Sequence, residues 1–397
     1  MFVSNVLQVN VRLSEGGAAG VARTLADELR KRGTASPFAY GYSTGGRSSP
    51  REALYDAIRI TPAPIAAANR ASYSLIGRET RLVGKQRWTS FIRAIDAADV
   101  VHLHAIHSHI VDTPVLFRAL IEAKKPVVWT LHDQWAMTGR CAQPGACRLW
   151  ETGCVKCPDL GAYPPARVDN AKRRWAERRD LIAELQASVP TSIIACANWL
   201  ADEARKSSLR DVGVITNSVD AEFWDATTHP RGPNDRAVVR NVFICRDLRD
   251  TRKVAWNVLK RLAQLPGQTL TIVGDNAPEQ FGGVRWIPAI MNRHDFALEM
   301  LNQDRLVFTS QIDYFPLTIV EALTAGLEVF ALDSQAAREF RDTAAVRVFD
   351  SAASLIASVA EPTSINRSST SSRDRSQFAP SRMTDDYMAV YERLIRG

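Results

Sequence analysis

Cysteine is scarce in this chain, six among 397 residues, which excludes a disulfide-dense secreted scaffold. Long apolar runs are missing too: no stretch approaches the ~18 uninterrupted apolar residues of a membrane-spanning helix. The opening decapeptide, Met1 to Asn10, carries no basic leader and no small-residue cleavage site, so no targeting segment is expected. A soluble cytoplasmic protein is the expectation, with peripheral contact at the inner face of the cell membrane left open. Neither sign of charge dominates. Fifty Lys and Arg stand against 43 Asp and Glu, a net +7, which suits anionic small molecules or an anionic membrane surface. No long basic stripe interleaved with aromatics is present, so no nucleic-acid partner is expected.

What the chain does have is ordinary globular composition, 46% hydrophobic and 23% charged residues, enough for two or three domains at roughly 150 residues each. Short apolar runs alternate with amphipathic stretches. Strands are expected at Asn5–Asn10, Asp99–His104, Pro126–His132, Ser192–Cys196 and Val212–Thr216. Further strands are expected at Val242–Cys245, Thr269–Val273, Arg305–Thr309 and Glu328–Leu332. Helices are expected at Ala19–Arg32, Pro114–Ala123, Trp199–Lys206, Trp256–Leu265 and Thr318–Ala325. Such alternation predicts an α/β fold with parallel sheets covered on both faces. The predicted domains are 1–216, with a Cys-rich insertion at 139–160, and 217–361. The loop-like Thr228-His-Pro-Arg-Gly-Pro-Asn234 lies at the junction. A Ser/Thr-rich linker, 362–380, precedes a terminal helix, 381–397, in which Tyr387, Val390, Tyr391 and Leu394 share one face. That helix is expected to dock back on the first domain.

Five segments suggest chemistry. Leu13-Ser-Glu-Gly-Gly-Ala-Ala-Gly20 joins a strand to a helix whose N-terminus favours an anion, though it lacks the full dinucleotide fingerprint. Arg246, Arg249, Arg252 and Lys253 place four cations after another strand, where open α/β sheets bind ligands. Asp313 and Glu321 lie eight residues apart, in a loop and on the following helix, and carboxylates accept hydrogen bonds from sugar hydroxyls. His102, His104, His107 and His109 crowd one strand end and His132 ends the next. Such histidines bond a polar ligand or one another, with a metal as the alternative. Finally, Cys141-x5-Cys147-x6-Cys154-x2-Cys157 packs four thiols into 17 residues, which reads as a structural zinc or as free, redox-labile thiols. The basic run Arg167–Arg179, with six cations and two acids, reads as a solvated helix or as a face for an anionic membrane.

Together these segments resemble a GT-B glycosyltransferase of retaining family 4. The resemblance spans Val6 to about Leu332. Its most specific stretch is His102-Leu-His-Ala-Ile-His-Ser-His109, with Trp129-Thr-Leu-His-Asp-Gln-Trp-Ala-Met-Thr-Gly139 and the cysteines ending Cys157-Pro-Asp-Leu. That run is similar to the branch of exopolysaccharide transferases typified by colanic acid biosynthesis. Asn217-Ser-Val-Asp-Ala-Glu-Phe223 and Asp313-x7-Glu321, continuing Ala-Leu-Thr-Ala-Gly326, add to it. The resemblance implies two Rossmann-like domains with parallel sheets facing across a cleft. The second domain would hold a nucleoside-diphosphate sugar, and the first a glycan or lipid-linked acceptor. Gly16 and Gly17 would offer amides to the donor phosphate. Arg246 and Lys253 would neutralise the leaving diphosphate. Asp313 and the amides of Phe315, Pro316 and Leu317 would face the transferred sugar. Glu321 would hold the ribose, and His132 would sit by the reacting sugar. No cofactor is required for this catalysis, and zinc would be structural only.

The chain also departs from the family pattern. Asp313 replaces the usual Glu and reaches about 1.5 Å less far. Ser218 stands where Gly is usual, Phe315-Pro316 replaces the commoner Phe-Gly, and Gly326-Leu-Glu-Val329 alters Gly-x-Pro-Val. The expected activity is retaining hexosyl or deoxyhexosyl transfer in surface-polysaccharide biosynthesis. A non-catalytic GT-B protein that binds a nucleotide or carbohydrate as regulator or scaffold is the alternative.

Overall fold

A computed structural model describes residues 2–43, 48–209, 211–228, 238–361 and 375–396. The chain divides into two compact units, Met1–Thr216 with Met383–Gly397, and Asn217–Arg382. The loop expected at the domain junction falls largely outside the described residues, as does the linker from 362 to 374.

Among the described residues of the first unit, seven strands form one parallel sheet. They are β1 (Val6–Asn10), β2 (Phe38–Tyr40), β3 (Ile58–Arg59), β4 (Val100–Leu103), β5 (Val127–Leu131), β6 (Thr191–Ala195) and β7 (Gly213–Val214), in the order β3-β2-β1-β4-β5-β6-β7. Every residue of β1, β4 and β5 is buried, because helices cover a parallel sheet on both faces. The short strands β2 and β3 carry too little periodicity to be seen in sequence. Helix Gly17–Lys31 buries Val21, Ala22, Leu25, Ala26 and Leu29 on one stripe, the spacing of an amphipathic helix. It stops before Gly33, whose φ of 84° suits a residue without Cβ.

The second unit holds a six-stranded parallel sheet: β8 (Val239–Asp247), β9 (Gln268–Asp275), β10 (Val284–Ile287), β11 (Arg305–Phe308), β12 (Glu328–Leu332) and β13 (Val346–Phe349). Their order is β10-β9-β8-β11-β12-β13. Phe243, Leu248, Val258, Leu259, Ile272 and Leu355 centre its core. Gly274 is required there, since a Cβ would lie 2.0 Å from the carbonyl oxygen of Cys245.

Each sheet order reverses once, between β1 and β4 and between β8 and β11. The crevices outside the carboxyl ends of those pairs are the places where such sheets bind ligands. The first receives the loop from Val11 to Gly17 and the segment after His102. The second receives Arg246 to Lys253 and the turn from Thr309 to Leu317. β8 runs two residues beyond the expected Cys245, and its register with β9 is irregular between Ile244 and Asp247. Arg246 therefore lies on a strand end, not in the loop with Arg249, Arg252 and Lys253.

Two expectations are corrected. The segment from Arg375 is packed, not a free linker: Arg375 donates 2.7 Å to the Thr227 carbonyl, and the Val219 N–H donates 3.2 Å to that of Phe378. The basic run 167–179 is not one solvated face. In helix Ala171–Ser188, Arg174 and Arg178 are buried. Arg174 pairs with Glu177 at 2.8 Å, and Arg178 donates to the carbonyls of Trp135 and Thr138. Two of the six cations thus hold the fold together. The terminal helix, Pro380–Arg396, starts one residue before the expected 381, and from Met383 it packs in the first unit. Met383, Tyr387 and Tyr391 are buried. Among the described residues no helix is long and apolar enough to cross a membrane.

Candidate functional site

In the first unit, β1 delivers the chain to Gly16, the cap residue of helix Gly17–Lys31. Its φ of 93° and ψ of 161° belong to glycine. No side chain caps that helix. The first amides, including that of Gly17, have no side-chain partner among the described residues and lie at the positive end of the helix.

Strand alternation puts His102 and His104 on one face, their rings stacked at 4.2 Å. A relay of hydrogen bonds from Ser36 settles the tautomers of His104 and His132. Ser36 Oγ spends its proton on the Val6 carbonyl at 3.1 Å, so it accepts from Gln8 Nε2 at 3.3 Å. Gln8 therefore presents Oε1 to His104 Nε2, 2.8 Å away. That nitrogen must carry the His104 proton, and Nδ1 is left as acceptor. His132 Nε2–H donates to it at 3.0 Å. His132 is thereby left with a bare Nδ1, which has no hydrogen-bond partner among the described residues. Burial pushes His132 down to about 4, with Asp133 opposing, and pushes His102 and His104 well below the ordinary histidine range. All three rings are neutral at pH 7. His102 bonds Tyr391 at 2.6 Å and Thr130 at 2.7 Å, and Thr130 bonds Tyr387 at 2.8 Å. The two tyrosines of the terminal helix thus close the network.

Beside it, His107 Nε2 meets Asp133 Oδ2 at 2.7 Å, and His107 Nδ1 meets Ser108 Oγ, which lies 2.6 Å from the Tyr163 hydroxyl. Burial acts to raise Asp133, but His107 and the Trp135 amide outweigh it and hold the carboxyl below its usual range. Ser108 and His109 have φ of 63° and 71°, a left-handed turn costing of order 1–3 kcal/mol per residue. The histidines are all engaged with protein groups.

In the second unit, Lys253 Nζ lies 2.6 Å from Asp313 Oδ1. The two loops are stitched together by Thr309, whose hydroxyl donates to the Lys253 carbonyl at 2.6 Å and accepts from the Ala255 amide at 3.1 Å. Arg249 and Arg252 are held by Asp247 and Asp250, two residues before each. Arg246 is exposed and has no carboxylate partner among the described residues. Helix Leu317–Thr324 starts after Pro316. Proline has no N–H, so the donors of this turn are the amides of Phe315 and Leu317 only. Glu321 is buried. Burial raises its carboxyl, opposed by Arg293, which lies 2.5 Å away and reaches Asp220 at 2.6 Å. Nothing in the sequence around Arg293 marks it as the partner of Glu321.

The cysteines lie in one loop, but among the described residues no group of three or more His, Cys, Asp or Glu is placed to hold a metal ion. Arg140 organises that loop instead. It donates to the carbonyls of Asp159, Leu160, Ala162 and Pro164 at 2.6–3.2 Å, and 3.7 Å to Cys157 Sγ. Burial, then the neighbouring Cys154, pushes Cys141 up to about 11.

Solved structures share this two-unit arrangement of Rossmann-like sheets. Anabaena Alr3699/HepE, in complex with UDP and glucose, superposes with a TM-score of 0.64 at 15% identity, covering 98% of this chain and 100% of that one. The pneumococcal O-GlcNAc transferase GtfA, in complex with UDP and GlcNAc, gives 0.64 at 10% identity over 100% of both. The fold is that of the GT-B glycosyltransferases. The model of the family described as Glycosyltransferase Family 4 matches residues 15–223. The putative colanic acid biosynthesis glycosyl transferase WcaC of Escherichia coli (strain K12) is 31% identical, covering 98% of this chain and 100% of its own. The chain belongs to glycosyltransferase family 4.

Proposed function

We propose that this protein is a retaining glycosyltransferase that moves a sugar from a nucleoside-diphosphate sugar to a glycan or lipid-linked acceptor in surface-polysaccharide assembly. The observation that carries this is the second unit's crevice. There Arg246 and Lys253, Asp313, the amides of Phe315 and Leu317, and the buried Glu321 all lie by the carboxyl ends of β8 and β11. Breaking the anomeric bond builds negative charge on the leaving diphosphate. Arg246 and Lys253 are preorganised cations for that charge, and such groups act by favouring the transition state over the ground state. Lys253 exchanges Asp313 for the diphosphate when donor binds, which frees Asp313 for the sugar. The reaction runs on one face of the sugar, the leaving phosphate taking the acceptor proton, and no protein nucleophile is invoked. His132, neutral with a bare Nδ1, accepts a hydrogen bond from a sugar hydroxyl. Relatives solved with UDP and a sugar support the donor class. The curated relative's role in colanic acid biosynthesis supports the pathway class.

Work at the inner face of the cell membrane belongs to the same proposal. Leu75, Ile76 and Leu82 are more than half exposed, at and beyond the end of helix Ala63–Ile76, with Arg81 beside them. The test is a thermal-shift screen of nucleotide sugars with and without chelator, followed by product analysis. A donor that stabilises the protein and is transferred with its anomeric configuration kept supports the proposal. Binding without turnover for any acceptor would favour the regulator or scaffold reading.

A further inference from the structure

A cavity of about 630 Å³ opens within the first unit, apart from the donor residues of the second. Arg12, Arg70, Arg167, Tyr42, Tyr163 and Ser108 line it, and no carboxylate is among its lining residues. Arg12 is fixed in place: its guanidinium lies 4.2 Å over the Tyr42 ring and donates 3.0 Å to the Tyr42 carbonyl. The Tyr42 hydroxyl in turn donates 2.7 Å to the carbonyl of Ser108. Arg70 and Arg167 are exposed and have no acidic partner among the described residues. Three guanidiniums facing one space make it electropositive, and their planar forks match oxyanions.

The wall of this cavity is joined to the histidine cluster. Ser108 Oγ touches Tyr163 and His107, and His107 holds Asp133, the neighbour of His132. A sugar whose anionic group met the arginines would thus have hydroxyl partners in Ser108 and Tyr163, on the side leading to His132. The space is within the range of small-molecule sites, roughly 300–1,000 Å³, and suits a sugar together with its charged group. We infer that this cavity is an acceptor subsite that selects a sugar bearing an oxyanion, either a phosphate or a carboxylate. The proposal rests on the glycosyltransferase reading above and adds the acceptor class to it.

The test is calorimetric binding of glucose 1-phosphate, glucuronate and glucose, with the nucleoside diphosphate found in the donor screen held at saturation to block the second unit. One or both charged sugars should bind at least roughly tenfold more tightly than glucose, the scale of one charge-assisted hydrogen bond. The phosphate and carboxylate arms show which oxyanion is meant. That preference should weaken as salt is raised. The exposed pair Arg70→Ala and Arg167→Ala, made together, should erase it while leaving donor stabilisation unchanged. Arg12→Lys, which keeps charge but loses the fork, should reduce it less. Equal binding of glucose and its charged forms, or a preference untouched by the arginine variants, overturns the inference. Loss of donor stabilisation from the wild-type protein alone would overturn the glycosyltransferase reading instead, and a charged-sugar preference would still stand.

Discussion

The two crevices are built on the same topology and do opposite things with ionisable groups. Around the ends of β4 and β5 the chain keeps three histidines neutral, His102 and His104 buried and His132 partly so, and a relay from Ser36 through Gln8 assigns the protons of His104 and His132. Between β8 and β11 it gathers full charges and pairs them, Lys253 with Asp313 and Arg293 with Glu321 and Asp220. The difference follows from depth and from partners, since the buried Glu321 has Arg293 to pair its charge. A ring enclosed by strands cannot carry an unpaired charge, because burial disfavours the ionised form. A cation on a loop stays hydrated and becomes available to a ligand. In the proposed reaction, one crevice would orient hydroxyls and the other would absorb the charge of a departing diphosphate.

The sharpest way to break the comparison is Lys253→Ala. If the second crevice works by charge, kcat/KM should fall roughly 10²–10³-fold, the scale for losing one preorganised stabiliser. Steady-state kinetics after a circular-dichroism check of folding is the measurement. Wild-type turnover would remove Lys253 from the diphosphate. Glu321→Gln should act more gently and elsewhere, raising donor KM roughly ten- to a hundredfold with kcat little changed. Its contact with a ribose is the same before and during bond cleavage. A fall in kcat as large as that of Lys253→Ala would erase the division of labour inside this crevice.

The first crevice is sharpened by pH. In the unfolded chain these histidines protonate near the ordinary 6.5, whereas the fold keeps His132 neutral down to about 4 and His102 and His104 neutral well below 6.5. The unfolded state therefore binds more protons in that window. Stability is complete above pH 6.5 and is lost as pH falls toward 4, with a slope of about 1.4 kcal/mol per pH unit for each proton. Urea unfolding from pH 7.5 to 4.5 measures this, and a flat profile would mean that the rings are not held neutral. The effect that matters least to function is expected at Cys141, whose raised pKa of about 11 should slow alkylation at pH 8 roughly a hundredfold relative to an unperturbed thiol. Mass mapping reports it. Zinc at one ion per chain, with all four loop cysteines protected, would show that these sulfurs gather on binding and displace Arg140 as the organiser.

Much of the proposed site was legible because it sits where strands end. The His102–His109 run, Lys253, and Asp313 with Glu321 all follow apolar runs by a few residues, and a parallel sheet places such positions along one edge. What could not be read was partnership. Arg293 lies 28 residues from Glu321, and Tyr391 lies 289 from His102. Nothing local in either sequence signals the other. Arg140 looked like one cation beside a cysteine, yet it collects four carbonyls. The Cys-x2-Cys spacing suggested zinc because spacing along a chain is silent about where sulfurs point.

By itself, the sequence determined many of the longer elements and their order, though not short strands such as β2 and β3: apolar runs of strand length, helices with one apolar stripe, and glycines such as Gly16 where the backbone needs φ of 93°. These are short-range consequences of sterics and of burying apolar surface. Only the tertiary structure decided which charges are spent and which are left over. Arg249 and Arg252 are satisfied two residues away, Arg174 and Arg178 are buried in the fold, and Arg246, Arg70 and Arg167 have no carboxylate among the described residues. The reason is that electrostatic pairing depends on distance through space and on access to water, and chain order sets neither.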